Sequence, residues 1–151
     1  MKVLNENFIK ILIIVVLMVS CAEDKEIKMV IFNENYKNIL EDIILYKKYN
    51  LEIIDNGNFW IIKNINEEVL LEFIGIAHLK LDVIGNNIAN VNTENYVRKY
   101  IRITEKNGVE IVNDTKNVDL TEERLHMLEI THLYEALVEY LRKINENIIL
   151  I

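Results

Sequence analysis

The side chains of this sequence that could bind metals or carry out catalysis form few recognisable patterns. Its three histidines are His78, His126 and His132, and Glu129 stands three residues before His132. A Glu-x-x-His pair on a helix is half of a carboxylate di-metal site, but no second pair of this kind occurs in the sequence. Because one such pair provides too few ligands for a transition metal, we expect no metal and no other cofactor.

The sequence also lacks the patterns of nucleophilic and phosphate chemistry. Its four glycines are scattered, so they do not form a glycine-rich phosphate loop. No serine or cysteine is arranged with a histidine as an activated nucleophile, and the many acidic residues fall on the polar sides of the helices predicted below. We therefore expect a protein without enzymatic activity.

The single cysteine, Cys21, stands where a lipid would be attached. Lys2 and Lys10 precede an apolar stretch over residues 11–19, and the order of charged, apolar and small residues is typical of a secretory signal. The apolar stretch is shorter than the ~20 residues that span a bilayer. Residues 18–21 resemble the lipobox of bacterial lipoproteins, which implies a signal peptide over residues 1–20 and a lipid on Cys21. The alternative is a cleaved signal, or a short membrane anchor, with an incidental cysteine.

Charge limits the partners of the chain. The net charge is −7 and no run is rich in Lys or Arg, so nucleic acid is not an expected partner. Residues 21–28 are charged and are predicted to be a short tether. We expect a periplasmic, membrane-anchored lipoprotein whose affinity for the membrane comes from the lipid, because an acidic surface gains nothing from anionic headgroups.

Residues 29–65 are predicted to form a short N-terminal helix followed by a β-hairpin. The helix lies between Met29 and Tyr49, and Asn33 or Asn35 would cap it. The hairpin runs from about Leu51 to Ile65. There, an Asn-Gly pair separates two apolar runs, and both residues tolerate positive φ.

Residues 66–151 are predicted to form a helix, a hairpin and a second helix. The first helix covers about 66–91 with Asn66 as its cap, and the second covers about 119–150. Asp119 and Glu122 have the spacing of a capping box at the start of the second helix. Between the helices, Asn107-Gly108 predicts a hairpin over residues 97–113.

Both helices carry apolar residues at alternating spacings of three and four, which is typical of a coiled-coil seam. On the first helix these residues are Ile74, Ala77, Leu81, Ile84, Ile88 and Val91. On the second helix they include Met127, Ile130, Tyr134, Leu137 and Leu141, and Glu123 occupies one seam position. We therefore predict an α+β protein in which the two long helices pair as an antiparallel coiled coil.

Two stretches in these helices resemble the terminal signatures of bacterial flagellar basal-body rod proteins of the proximal rod (FlgB and FlgC) type. Residues 82–96, DVIGNNIANVNTENY, are similar to the pattern D-x-I-x-N-N-I-A-N-x-x-T-x-G-Y, with Asn95 at the position of the glycine. Residues 117–136 are similar to the opening of the family's C-terminal helix. Asparagine tolerates the left-handed conformation best after glycine, so we expect the turn before Tyr96 to be kept.

The resemblance implies a structural or assembly role in the flagellar basal body, with rod subunits as partners and self-association into a homo-oligomer as an open alternative. It also implies that the seams and asparagine amides contact neighbouring subunits. The expected contact residues are Leu81, Ile84, Asn86, Asn87, Ile88, Asn90, Met127, Ile130, Tyr134, Leu137 and Leu141.

Three departures from the family pattern leave alternatives open. The family's first helix normally begins the chain, its middle region is longer, and its subunits are exported without a lipoprotein signal. We therefore favour a divergent, membrane-tethered protein that docks onto the basal body from the periplasm, ahead of a true rod subunit. A periplasmic lipoprotein binding module outside the flagellum is the alternative function.

Overall fold

The computed structural model describes residues 29–31, 51–55, 57, 60–63, 65–104 and 106–149. These residues belong to two compact units. The first contains strands β1 (Met29–Ile31), β2 (Glu52–Asp55) and β3 (Trp60–Lys63). The second contains α1 (Glu67–Ala89), β4 (Lys99–Thr104), β5 (Gly108–Asn113) and α2 (Leu120–Ile149). The described residues do not include the predicted signal peptide, the tether, Cys21 or most of the predicted N-terminal helix.

The first unit is a three-stranded antiparallel sheet with β3 in the centre. β2 and β3 form the predicted hairpin, with Glu52 opposite Lys63 and Asp55 opposite Trp60. The connection therefore has four residues, 56–59, which is longer than a two-residue Asn-Gly turn. Gly57 has φ 85°, and its N–H donates to Asp55 Oδ1 at 2.7 Å. β1 is a third strand that the sequence analysis did not predict.

The second unit is the predicted helix, hairpin and helix. Asn66 caps α1, because its side-chain oxygen accepts from the Val69 N–H at 2.9 Å. Asp119 caps α2 by accepting from the N–H groups of Thr121 and Glu122 at 2.8 and 3.0 Å. Both caps satisfy backbone donors that a helix start leaves without partners. The predicted starts of both helices are therefore confirmed.

The two helices pack against each other in antiparallel order. Asn87 bonds Glu123 at 3.0 Å, a Cβ on Gly85 would lie 3.8 Å from Met127 Cε, and the rings of His78 and Tyr134 are 6.1 Å apart. In these contacts, later residues of α1 lie beside earlier residues of α2, so the two helices run in opposite directions. Helix pairing is thus confirmed, whereas a regular coiled coil is not.

Burial on the helices is wider than a single seam. On α1 the predicted seam residue Ala77 is buried, but Ile74, Leu81, Ile84 and Ile88 are half-buried. The other buried α1 side chains are Val69, Leu70, Phe73, Ile76, Val83 and Asn87. The buried apolar side chains of α2 are Ile130, Leu133, Leu137, Tyr140 and Ile144. α1 is apolar around most of its circumference, so spacing alone does not select the face that is buried deepest.

Strands β4 and β5 form the second predicted hairpin. Lys99 is opposite Asn113 and Thr104 is opposite Gly108, which has φ 73°. A glycine with positive φ at the end of a three-residue connection is a common way to close a hairpin. β4 also contacts α1. Within the described ranges, no helix is long and apolar enough to cross a membrane.

Candidate assembly site

The end of α1 is closed by hydrogen bonds among its own asparagines. The Asn90 N–H and its side-chain amide both donate to the Asn86 carbonyl, at 3.2 and 2.9 Å. The Thr93 N–H donates to the Asn90 carbonyl, and its hydroxyl donates to Asn90 Oδ1. These bonds satisfy carbonyls that a helix end leaves open, and they turn the chain toward Tyr96.

Asn95 has φ 61°, so it occupies the left-handed region expected of the residue before Tyr96. No other non-glycine residue that the structure describes has a positive φ. The prediction that asparagine replaces glycine here without loss of the turn is confirmed. The turn brings the Tyr96 hydroxyl to Asn87 Oδ1 at 3.0 Å.

Asn87 is the centre of a buried polar cluster. It is 1% exposed. Its amide nitrogen donates to the Lys99 carbonyl at 2.8 Å and to Glu123 Oε2 at 3.0 Å. Its oxygen accepts from the Lys99 N–H at 2.9 Å and from Tyr96. An amide has two donor hydrogens and two acceptor lone pairs, so every hydrogen-bonding group of this side chain is used inside the chain.

Glu123 extends this cluster from α2 to the base of the hairpin. Its side chain is 0% exposed, and Arg98 Nε donates to its Oε1 at 2.5 Å. Arg98 Nη1 also donates to Asp114 Oδ2 at 2.5 Å, while the Asp114 N–H donates to the Arg98 carbonyl at 2.7 Å. One guanidinium thus joins both ends of the hairpin to α2. A buried carboxylate is tolerated when it is paired and hydrogen-bonded in this way.

The pKa values of Arg98 and Asp114 are shifted by their contacts. Burial works against the charge of Arg98, but hydrogen bonds from its guanidinium to Glu123 and Asp114 outweigh it and raise the Arg98 pKa. The backbone N–H of Lys116 and then the Arg98 side chain stabilise the Asp114 carboxylate, which lowers its pKa below 3.8. Arg98 therefore stays charged at neutral pH.

The expected contact residues fall into three groups by burial. Asn87, Ile130 and Leu137 are buried within the chain. Asn86 is exposed, and its amide donates to the Asp82 carbonyl at 2.9 Å. The others are half-buried: Leu81, Ile84, Ile88, Asn90, Met127, Tyr134 and Leu141.

The histidines are not gathered into a site. His78 lies on α1 with Nδ1 3.5 Å from Asp82 Oδ2, and both side chains are exposed. Among the residues that the structure describes, no three His, Cys, Asp or Glu side chains are placed to hold a metal ion.

Residues 77–96 match the family model described as flagella basal body rod protein. The matched segment begins on α1 and ends at Tyr96, so it contains the asparagines and the left-handed turn described above. No curated protein and no solved structure matched the chain. The match supports a likeness to the flagellar basal-body rod family, whose role is structural.

Sequence reasoning missed the residues that hold this segment in place. Arg98, Asp114 and Glu123 lie outside the matched residues, and none was expected at a site. One signal was present, because Glu123 interrupts an otherwise apolar seam of α2. A carboxylate at a core position needs a charged partner, and such a partner could have been sought among the basic residues of the hairpin.

Proposed function

We propose that this protein is a structural or assembly component of the bacterial flagellar basal body. The observation that carries the proposal is the match of residues 77–96 to the rod family, together with the fold of that segment. The family-like turn is present with Asn95 in the left-handed conformation. The partners would be rod subunits of the proximal type.

Membrane tethering belongs to the same proposal. The lipobox-like residues 18–21 support a lipid on Cys21 and a position on the periplasmic side. A lipid at the start of the mature chain would hold the helix pair near the membrane while it docks onto the rod. Labelling with a radioactive fatty acid tests this point, and a Cys21→Ser variant should take up no label.

The contact surface would be the part of the motif that stays accessible. Asn86 is exposed, and Asn90 and Leu81 are half-buried. Asn87, in contrast, is buried and bonds Lys99 and Glu123. Leu137 is fully buried, so replacing it by Asp would disrupt the fold and would not report on docking. Asn86 is therefore the residue at which docking is tested best.

A matched pair of lysine substitutions on α1 makes this test. Asn86→Lys places a long charged side chain at the motif end of the helix. Leu71→Lys makes the same change of charge at a position that is 50% exposed and lies near the helix start. Basal bodies purified from each strain would retain the Leu71 variant and lose the Asn86 variant, while circular dichroism shows both to be helical. Equal retention of both variants would remove Asn86 from the contact surface.

One observation favours the alternative of an independent lipoprotein module. The helices pair within the chain, and every hydrogen-bonding group of the motif asparagine Asn87 has a partner in the same chain. This alternative predicts a monomer that does not co-purify with flagellar parts. Size-exclusion chromatography with light scattering, followed by mixing with rod subunits, separates the two functions.

A further inference from the structure

The apolar core ends before it reaches the hairpin. The last buried apolar side chain of α1 is Val83, and the first of α2 is Ile130. Between them, across the described residues from 84 to 129, the buried side chains are the polar Asn87 and Glu123. The buried side chains at the hairpin end of the second unit are therefore polar, and the apolar ones there are at most half-buried.

The hairpin's own apolar side chains do not compensate for this. Ile111 is 53% exposed, and Val97 and Tyr100 are also exposed. Other side chains of β4 and β5 are half-buried at most, apart from Gly108, which has none to bury. Fully burying a large apolar side chain contributes about 1.5–3 kcal/mol. The half-buried Ile101, Ile103, Val109 and Val112 obtain only part of that contribution.

The polar contacts are concentrated near the base of the hairpin. Arg98 directly precedes β4, Lys99 begins it, and Asp114 follows the end of β5. Arg98 bonds Glu123 and Asp114, and Lys99 bonds Asn87. The tip at Gly108 has no contact of this kind to a helix among the hydrogen bonds of the described residues. A segment attached at one end by a few polar contacts opens more easily than the core that it is attached to.

We infer that the β4–β5 hairpin is an arm that undocks from the helix pair as one unit, with Glu123, Arg98 and Asn87 as its latch. When the latch opens, the Asn87 amide and the Glu123 carboxylate lose their internal partners and can bond the backbone or a cation of another chain. The use of these groups by a rod subunit rests on the proposed function. The undocking itself does not.

Hydrogen–deuterium exchange of the full-length protein, followed by mass spectrometry of peptides, tests the arm. We expect peptides within residues 97–113 to exchange at least roughly tenfold faster than peptides within residues 130–144. A two-stranded hairpin that has left the helices is at best marginally stable, so its ladder opens while the helix core stays intact. Equal protection of the two regions would overturn the inference.

Variants of two adjacent glutamates test the latch. Glu123→Gln keeps the shape of the side chain but removes the charge that Arg98 binds. It should speed exchange in the hairpin by a further factor of roughly ten, because a charge-assisted hydrogen bond is lost, and leave residues 130–144 unchanged. Glu122→Gln alters an exposed residue and should change neither region.

A third variant covers the case in which Glu123→Gln does not fold. Arg98→Lys keeps the positive charge but cannot bind Glu123 and Asp114 with a planar fork, so hairpin exchange should rise by an intermediate amount. If either latch variant speeds exchange of hairpin and helices to the same extent, the cluster supports the whole fold and the arm is ruled out. Because no flagellar component enters these measurements, their outcome is independent of the basal-body test.

Discussion

Asn86 and Asn87 are neighbours in sequence with opposite surroundings. Asn86 is exposed and bonds one carbonyl of its own helix. Asn87 is buried and bonds Lys99, Tyr96 and Glu123. In a motif read only as sequence, the two amides are equivalent. In the folded chain, Asn87 holds the hairpin and Asn86 lies at the surface.

Alanine at each of these positions separates the two roles. Asn87→Ala leaves a buried carboxylate oxygen and the backbone groups of Lys99 without partners, so we expect the free energy of unfolding to fall by roughly 2–4 kcal/mol. Asn86→Ala should change it by less than about 0.5 kcal/mol. Urea unfolding followed by circular dichroism measures both. Similar losses in the two variants would show that the buried cluster is not the stabilising feature.

Tyr140 presents the reverse case of a buried polar group. The side chain is fully buried in the described fold, and its hydroxyl has no hydrogen-bond partner. Burial also raises the Tyr140 pKa well above its usual 10.0, so the hydroxyl stays protonated. Tyr140→Phe should therefore leave the stability unchanged or raise it by up to about 1 kcal/mol.

Tyr96→Phe is the control for Tyr140→Phe, because the Tyr96 hydroxyl bonds Asn87 Oδ1. Its removal should lower the free energy of unfolding by about 1 kcal/mol. A clear loss of stability in Tyr140→Phe, measured by thermal unfolding, would mean that this hydroxyl has a partner in solution.

At the scale of elements, two glycines play different parts. Gly75 lies within α1, and a Cβ added there would meet nothing within 4 Å. Gly108 closes the hairpin with φ 73°. Gly75→Ala should raise the free energy of unfolding by about 0.5–1 kcal/mol, because alanine favours the helix. Gly108→Ala should lower it by about 1 kcal/mol or more, because a Cβ is strained at positive φ. Chemical denaturation of both variants checks the opposite signs.

The elements that sequence reasoning predicted are those set by neighbouring residues. The caps at Asn66 and Asp119, the left-handed Asn95 and the Gly108 turn each depend on chemistry within about four residues. Contacts over longer separations were missed. Asn87 meets Glu123 36 residues away, and Arg98 meets Glu123 25 residues away. Their pairing depends on how α1, the hairpin and α2 pack, which side-chain spacing does not specify.

At the scale of the whole molecule, the second unit has an apolar half and a polar half. Phe73, Leu133, Leu137 and Tyr140 fill the first, and the cluster around Glu123 joins the second. The two halves should respond to different solution conditions, because apolar burial is insensitive to pH while ion pairs are not.

The pKa of the Asp114 carboxyl group predicts how the stability of the polar half changes with pH. Its pKa in the folded protein is below 3.8, so it contributes stability above its unfolded pKa and loses it as the pH falls through the folded pKa. The difference in unfolding free energy between the wild type and Asp114→Asn should therefore shrink as the pH is lowered from about 5 to about 2. Urea titrations at several pH values measure it. A constant difference across this range would contradict the lowered pKa of Asp114 and the contacts with the Lys116 N–H and Arg98 that cause it.

The central claim, that this chain is part of the flagellar basal body, is tested most directly by immunoblotting purified basal bodies. The preparation is compared before and after detergent extraction that removes lipoproteins held only by the membrane. We predict that the protein remains with the basal bodies after extraction. Its absence from basal bodies, with full recovery in the extracted lipoprotein fraction, would contradict the claim and favour the independent module.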